Sequence, residues 1–290
     1  MTELIPPALF ALVLWWLSTG AVLAINSLPS WTYRWSLVLI AALAGLSLWG
    51  IVELSELRTP AAAYLSFIYA LVLWGWHEMS FLMGFITGPV KRPCPEDAVG
   101  FRRFVLATGA VIYHEVALAL TLVVLWTFTA ASANRVALLT YVVLWIMRLS
   151  AKFNLYLGVR NVTEEFIPER MRYLGSYFGR RDRNPLMVAS VLGGSGVLVW
   201  LGSVAIAARA DRFEATATML VATLLALALL EHLFLAFPVR DAVLWRWALG
   251  DEETGSTDGS ESAPSPKHDD STIVAASTES GASRPRASVA

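Results

Sequence analysis

Apolar residues fall in seven long runs along the chain, and short polar segments separate them. A helix needs about 20 apolar residues to cross a hydrocarbon core about 30 Å thick, and each run is close to that length. The pattern therefore predicts an all-α fold, a polytopic membrane bundle of about seven transmembrane helices. The predicted spans are residues 6–26, 35–53, 62–86, 104–129, 135–157, 186–208 and 214–237.

The segment between the fifth and sixth spans has an organisation of its own. Asn161-Val162-Thr163-Glu164 has the spacing of a capping box. Apolar residues follow at positions i, i+4, i+7 and i+11, and Pro168 falls in the first turn, where proline does little harm. This pattern predicts an amphipathic α-helix on the cytoplasmic membrane surface or against a partner. Its apolar positions are Ile167, Met171, Leu174 and Phe178.

Composition separates a transmembrane domain, residues 1–250, from a C-terminal tail, residues 251–290. Hydrophobic residues make up 56% of the chain and charged residues 16%, which excludes an ordinary soluble fold. The tail has no aromatic residue and is rich in Ser, Asp and Glu. It is predicted to be disordered and acidic, because it has too little apolar surface to bury.

The distribution of Lys and Arg predicts the orientation. Basic residues concentrate in the loop between spans three and four, in the loop between spans five and six, and after span seven. The positive-inside rule places these three segments in the cytoplasm and the N-terminus outside. Membrane lipid is the predicted surrounding, and no nucleic acid is predicted as a partner. The residues concerned are Lys91, Arg92, Arg102, Arg103, Arg160, Arg170, Arg172, Arg180, Arg181, Arg183, Arg240 and Arg246.

Three of the four histidines lie inside predicted spans, and each is next to a glutamate. An ionisable residue at membrane depth costs several kcal/mol, so each is a functional hypothesis by default. The spans place all three pairs in the half of the bilayer nearer to the cytoplasm, and Arg148, Lys152 and Asn154 reach the same half. The pairs are His77-Glu78, His114-Glu115 and Glu231-His232.

Adjacent helical residues point about 100° apart, so a histidine and its neighbouring glutamate cannot both point at one atom. One use of this geometry is an iron, manganese or zinc site in which all six side chains ligate or orient ligands. Another is a tetrapyrrole site in which His77, His114, His232 and Asn154 ligate or donate hydrogen bonds. Ordinary structural ion pairs are a third interpretation.

Several short motifs at these positions resemble the PuhE family of photosynthetic complex assembly proteins from phototrophic proteobacteria. The resemblance covers residues 1–250. Together with the orientation predicted from the Lys and Arg residues, it leads us to expect a multi-pass protein of the inner (cytoplasmic) membrane, with a periplasmic N-terminus and a cytoplasmic C-terminus. The motifs are Trp74-Gly75-Trp76-His77-Glu78, Thr87-Gly88-Pro89, Cys94-Pro95, Tyr113-His114-Glu115, 152–158, 173–178 and Glu231-His232-Leu233-Phe234.

The resemblance also implies a function. We expect an assembly factor that handles or modulates bacteriochlorophyll, or a related haem-type tetrapyrrole, through a His/Glu pocket in the inner leaflet. Its expected partners are photosynthetic complex subunits or bacteriochlorophyll-biosynthesis proteins. A membrane metalloenzyme acting on a membrane-soluble substrate is the alternative, and a transporter that uses the buried carboxylates is a third possibility. No catalytic residue is predicted.

Overall fold

The computed structural model describes residues 2–162, 167–181 and 184–237. Within them lie seven long α-helices, and six of these are long and apolar enough to cross a membrane. The predicted all-α polytopic bundle is confirmed; the described residues contain one isolated bridge, Val159 to Arg180, and no β-strand. The helices are α1 Ile5–Asn26, α2 Tyr33–Glu53, α3 Pro60–Leu82, α4 Gly100–Thr129, α5 Val136–Leu157, α6 Pro185–Ala207 and α7 Arg212–Ala236.

The remaining helix, α3, matches the others in length but is not among those six. It is surrounded by protein and contacts α1, α2, α4, α5 and α7. A helix that packs against other helices rather than lipid can carry more polar side chains. Ser66, His77, Glu78 and Ser80 are buried on α3 in this way.

Local sequence signals explain where several helices begin. The Thr59 side chain accepts a hydrogen bond from the backbone of α3, and Asn184 and Asp211 do the same at the starts of α6 and α7. Such caps satisfy backbone N–H groups that have no partner within the helix. Pro60 and Pro185 stand at the first helical position, where a missing N–H costs nothing.

Helices α3, α5 and α7 form the centre of the bundle; α1 packs on α3 and α7, α2 on α3, α4 on α5 and α6 on α7. One core cluster joins Phe67, Leu71, Val136, Leu220 and Leu224 from these central helices. We call the end of the bundle where α1, α3, α5 and α7 finish the basic end, because the connecting segments and the first turn of α4 there carry most of the described Lys and Arg residues. These are Lys91, Arg92, Arg102, Arg103, Arg160, Arg170, Arg172, Arg180 and Arg181.

Helix α3 ends four residues earlier than the predicted span 62–86. Gly84 has φ +79°, and its N–H donates to Phe81 O at 2.8 Å while Phe85 N–H donates to Ser80 O at 2.9 Å. This is a Schellman cap, which a glycine in the left-handed region favours. His77 therefore lies five residues, about 7.5 Å, from the end of α3, whereas the predicted end at residue 86 is four residues, about 6 Å, farther away.

The loop after α3 docks directly onto the backbone of α4. Val90 N–H donates to Gly109 O at 3.2 Å, and Thr87 O accepts from the N–H groups of Tyr113 and His114 at 3.0 and 3.1 Å. Helix α4 has 30 residues and is about 45 Å long, so it is longer than a bilayer core needs. The docked loop fixes the part of α4 that carries His114 and Glu115.

The amphipathic segment is not the predicted α-helix but a 3₁₀ helix, Glu169–Tyr177. Pro168 precedes it in an extended conformation, φ −56° and ψ 147°, so the helix starts after the proline rather than around it. With three residues per turn, Met171, Leu174 and Tyr177 share one face, and Met171 and Tyr177 are buried. The segment is amphipathic, as predicted, but it packs against the end of the bundle.

Arg170 fixes this 3₁₀ helix to three other helices at the basic end. Its guanidinium donates to Leu82 O at 2.8 Å, to Asn26 Oδ1 at 2.7 Å and to the Tyr33 hydroxyl at 2.9 Å. It also lies 4.4 Å from the centre of the Tyr33 ring, within cation–π range. One side chain thus joins the ends of α1, α2 and α3 to the segment.

We expect Arg170→Met to speed amide hydrogen exchange across residues 169–177 by about tenfold or more, because it removes several charge-assisted hydrogen bonds. Exchange measured by mass spectrometry on the detergent-solubilised protein tests this. Arg172→Met is the matched control, since Arg172 is exposed on the same helix. Equal exchange in the two variants would contradict the anchoring role of Arg170.

Some predictions fall outside the described residues. Thr163 and Glu164 of the predicted capping box, and Arg183, are among them. So are Arg240, Arg246 and the predicted acidic tail.

Candidate functional site

A cavity of about 580 Å³ lies between α1, α3, α4, α5 and α7, and the 3₁₀ helix lines it at the basic end. Most of its wall is apolar, and aromatic side chains come from almost every lining element. A largely apolar cavity with a few polar groups is the usual form of a small-molecule site. The aromatic lining residues include Trp15, Trp74, Phe81, Phe104, Tyr156, Phe178 and Phe234.

Five charged side chains line the cavity: Glu78 from α3, Glu115 from α4, Arg148 and Lys152 from α5, and Glu231 from α7. Their formal charges sum to −1. Four helices thus bring both signs of charge to one apolar chamber, where unpaired charges are costly. This charged cluster is the candidate functional site.

The α5 side of the cluster follows from helical spacing. Leu144, Arg148, Lys152 and Tyr156 recur every four residues and all line the cavity. Residues four apart lie on one helix face about 6 Å apart. The two cations therefore stand one above the other on the cavity wall.

Each cation on α5 contacts one carboxylate from a neighbouring helix. Arg148 Nη2 donates to Glu78 Oε2 at 3.1 Å, and Lys152 Nζ donates to Glu115 Oε1. The Arg148 side chain is 44% accessible, although the residue lies within a membrane helix, whereas that of Glu78 is 10% accessible. Because Arg148 lines the cavity, its accessible surface is available to a bound molecule.

None of the three histidines lines the cavity; the glutamate next to each one does. The 100° between adjacent residues explains this division, because a helix that directs Glu toward the cavity directs the neighbouring His away from it. All three imidazoles are 1% exposed. The structure therefore brings the three carboxylates to one chamber and places the imidazoles behind its wall.

His77 belongs to the contact between α3 and α4. Its Nε2 lies 2.9 Å from Thr121 Oγ1, and its ring packs against Trp76 at 4.6 Å between centroids. The centre of the Tyr141 ring lies 6.4 Å from that of His77. These contacts are typical of a buried histidine that is held by its neighbours.

His114 stands closest to the charged cluster. Its Nε2 lies 3.9 Å from Glu78 Oε1, and its ring packs 4.5 Å from that of Phe81. Neither ring nitrogen has a hydrogen-bond partner among the described residues. His114 is therefore the one candidate imidazole that a small movement would bring into contact with Glu78.

His232 and Asn154 lie in a separate hydrogen-bond network between α5, α6 and α7. His232 Nδ1 lies 2.9 Å from Ala228 O, which only accepts, so Nδ1 carries the proton, and Nε2 lies 3.0 Å from Ser150 Oγ. Asn154 donates to Ser150 O at 3.0 Å and accepts from Asn184 at 2.9 Å. Both side chains have partners and are fully buried.

The predicted metal ligands do not form one cluster. Across the described ranges, no three His, Cys, Asp or Glu side chains come close enough to hold a metal ion. Glu78 and Glu115 already contact Arg148 and Lys152. The six-residue metal site and the tetrapyrrole ligands remain predictions.

Comparison with known proteins gives the family. The model of the family DUF3623, described as a protein of unknown function, matches residues 1–256. The chain belongs to the DUF3623 family. It is also similar to an uncharacterized 30.4 kDa protein in the puhA 5′ region of Rhodobacter capsulatus, with 30% identity over 271 residues, 89% of this chain and 95% of that protein. No solved structure matches the chain.

In this DUF3623 chain, sequence reasoning selected the glutamates of the site but missed their partners. Arg148 and Lys152 were placed in the same half of the bilayer without a role. The four-residue spacing from Leu144 to Tyr156 is the signal that could have identified them. Nothing in the sequence pairs them with Glu78 or Glu115, which lie 70 and 37 residues away.

Proposed function

We propose that this DUF3623 protein is an assembly factor of the bacterial photosynthetic apparatus, and that its cavity holds bacteriochlorophyll or a related tetrapyrrole. The location of the relative in the puhA 5′ region supports a link to that apparatus. The resemblance to the PuhE family supports the same assignment. The cavity is the observation that carries the pigment-binding part of the proposal.

Its size and lining suit a large, flat, apolar molecule. A volume of about 580 Å³ lies within the range of about 300–1,000 Å³ that is typical of small-molecule sites. Trp15 and Trp74 stand on the α1 and α3 walls, while Phe104 and Tyr156 stand on the α4 and α5 walls. Aromatic side chains stack favourably on flat conjugated rings. The charged cluster supplies the few polar contacts that would fix the orientation of such a ring.

The proposed orientation follows the positive-inside rule. The basic end faces the cytoplasm of the producing cell, in the inner membrane, and the N-terminus faces the periplasm. The cavity then lies in the inner-leaflet half of the protein. A pigment made or modified at the cytoplasmic face could reach it, and photosynthetic complex subunits or biosynthetic enzymes would be the partners.

The metalloenzyme alternative fits the geometry less well. A divalent ion at Glu78 or Glu115 would compete with Arg148 and Lys152 for the carboxylates, and it would be repelled by both cations. His232, a required ligand in the full set, already has partners at both ring nitrogens. Pigment binding does not require Arg148 and Lys152 to leave the carboxylates, and it does not require His232 to lose its hydrogen bonds.

The test is the absorption spectrum of the full chain purified from a host that makes bacteriochlorophyll. We expect about one tetrapyrrole per protein, and we expect Gly75→Phe to lose it, because Gly75 lines the cavity and its Cβ position is open. Gly45→Phe is the matched control, since Gly45 is also open but exposed on α2. Colourless wild-type protein from that host would contradict the proposal.

A further inference from the structure

The polar side chains that line the cavity are hydrogen-bond donors and carboxylates, not imidazoles. Given the proposed function, on which this step rests, we infer that the cavity recognises carbonyl groups on the rim of a neutral tetrapyrrole through Arg148 and Lys152. The central metal of the pigment is not held by His77, His114 or His232. Recognition is thus by the edge of the macrocycle.

Arg148 and Lys152 have donors to spare. A guanidinium has five N–H donors and an ammonium has three. Arg148 donates through Nη2 to Glu78, and Lys152 donates to Glu115. Their side chains remain 44% and 23% accessible while lining the cavity. Carbonyl oxygens of a ligand are the acceptors that such donors fit.

The charge balance favours a neutral ligand. The five charged lining residues sum to −1, and each cation already has a carboxylate partner. A free carboxylate on the ligand would bring a further negative charge into a low-dielectric chamber, at a considerable cost. A ketone or an ester adds an acceptor without a charge.

The position of the donors also fits a rim contact. Arg148 and Lys152 stand about 6 Å apart along α5. Apolar wall continues on both sides of them, with Leu144 and Trp74 deeper in the bundle and Tyr156 toward the basic end. The polar band therefore crosses an otherwise apolar chamber, which matches a ring with apolar faces and a few polar edge groups.

Metal ligation by an imidazole would need a rearrangement. His232 is buried with partners at both ring nitrogens, and His77 is buried with a partner at Nε2 and none at Nδ1 among the described residues. His114 is 1% exposed and lies against Phe81, so its ring would have to turn out of the wall to reach a metal in the cavity. Arg148 and Lys152 need no such movement.

The experiment compares three pigments on the purified full chain: bacteriochlorophyll, its metal-free counterpart, and the free acid without its ester chain. We expect the dissociation constants of the first two to agree within about threefold, and that of the free acid to be about tenfold higher or more. Fluorescence quenching of the cavity tryptophans gives the three constants under one set of conditions.

Two variants locate the contact. Glu78→Gln combined with Arg148→Met removes a donor without leaving a buried carboxylate unpaired, and we expect it to weaken both esterified pigments about tenfold or more. His114→Leu removes the nearest imidazole and is expected to leave their affinities unchanged. Circular dichroism and size-exclusion chromatography verify that both variants are folded.

The outcomes separate the inference from the proposed function. Binding of the magnesium form alone, or a loss of binding in His114→Leu but not in the Glu78/Arg148 double variant, would overturn rim recognition and leave pigment binding standing. Tight binding of the free acid would overturn the preference for a neutral ligand. Failure of every tetrapyrrole to bind would overturn both proposals.

Discussion

Replacing Gly88 by alanine should destabilise the bundle by about 3 kcal/mol or more, at the upper end of what overpacking costs. A Cβ on Gly88 would lie 2.1 Å from Gly109 O and 2.7 Å from Ala110 C. Both are backbone atoms, which cannot move aside as a flexible side chain can. The loop and α4 would have to separate.

That separation would break the contacts that hold this part of α4. Val90 N–H would lose Gly109 O, and Thr87 O would lose the N–H groups of Tyr113 and His114. Each buried backbone hydrogen bond lost without replacement adds to the cost. Glu115 would move with α4, so the variant should also disturb the contact of Glu115 with Lys152.

Thermal unfolding of the detergent-solubilised protein measures this effect. Gly45→Ala is the matched control, because no atom lies within 4 Å of its Cβ position and alanine favours a helix by about 1 kcal/mol over glycine. We expect Gly45→Ala to melt at or slightly above the wild-type temperature. A Gly88→Ala protein that melts with the wild type would show that the loop does not dock on α4 in this way.

The helices could be predicted from the sequence because a membrane helix must satisfy its own backbone and present apolar side chains over a fixed length. The end of α3 was predicted too late because the apolar run continues past Gly84 to Ile86. The φ of Gly84, not hydropathy, ends that helix. The glycine at position 84 was therefore a usable sequence signal for the end of the helix.

The 3₁₀ helix was misread for a related reason. Met171 and Leu174 are three residues apart, a spacing that is common to α and 3₁₀ helices. The apolar residues at 167 and 178 complete the i, i+4, i+7, i+11 pattern that is typical of an α-helix. In the sequence, Arg170 counts as one of the basic residues that predict the orientation. Its three acceptors come from α1, α2 and the end of α3, which no local pattern connects to it.

The candidate site was predicted in part. The sequence identified the three His–Glu pairs, since buried charge is expensive in a membrane, and the structure brings their glutamates to one cavity. The sequence could not tell which member of each pair faces the interior, because that depends on the rotational setting of the helix about its own axis. That setting is fixed by packing between distant segments, such as Glu78 against Arg148.

The Glu78–Arg148 pair gives the second large expected effect. Arg148→Met alone leaves a 10% accessible carboxylate without its cation, and we expect it to cost about 3 kcal/mol, the lower end for a broken buried pair. Glu78→Gln alone should cost less, because the Arg148 side chain is 44% accessible in the cavity. The double variant should be more stable than the sum of the two losses predicts.

A double-mutant cycle on unfolding free energies in mixed detergent measures the coupling, which we expect to be about 2 kcal/mol. The matched control is the exposed pair Asp97–Arg102, whose atoms lie 2.5 Å apart and whose side chains are 70% and 61% accessible. Its hydrogen bond lowers the pKa of Asp97, yet solvent screens the interaction. We expect no measurable coupling there. The two pairs differ mainly in burial. If the losses of unfolding free energy at Glu78 and Arg148 are additive, water fills the cavity around them. The apolar pigment site would then lose its physical basis.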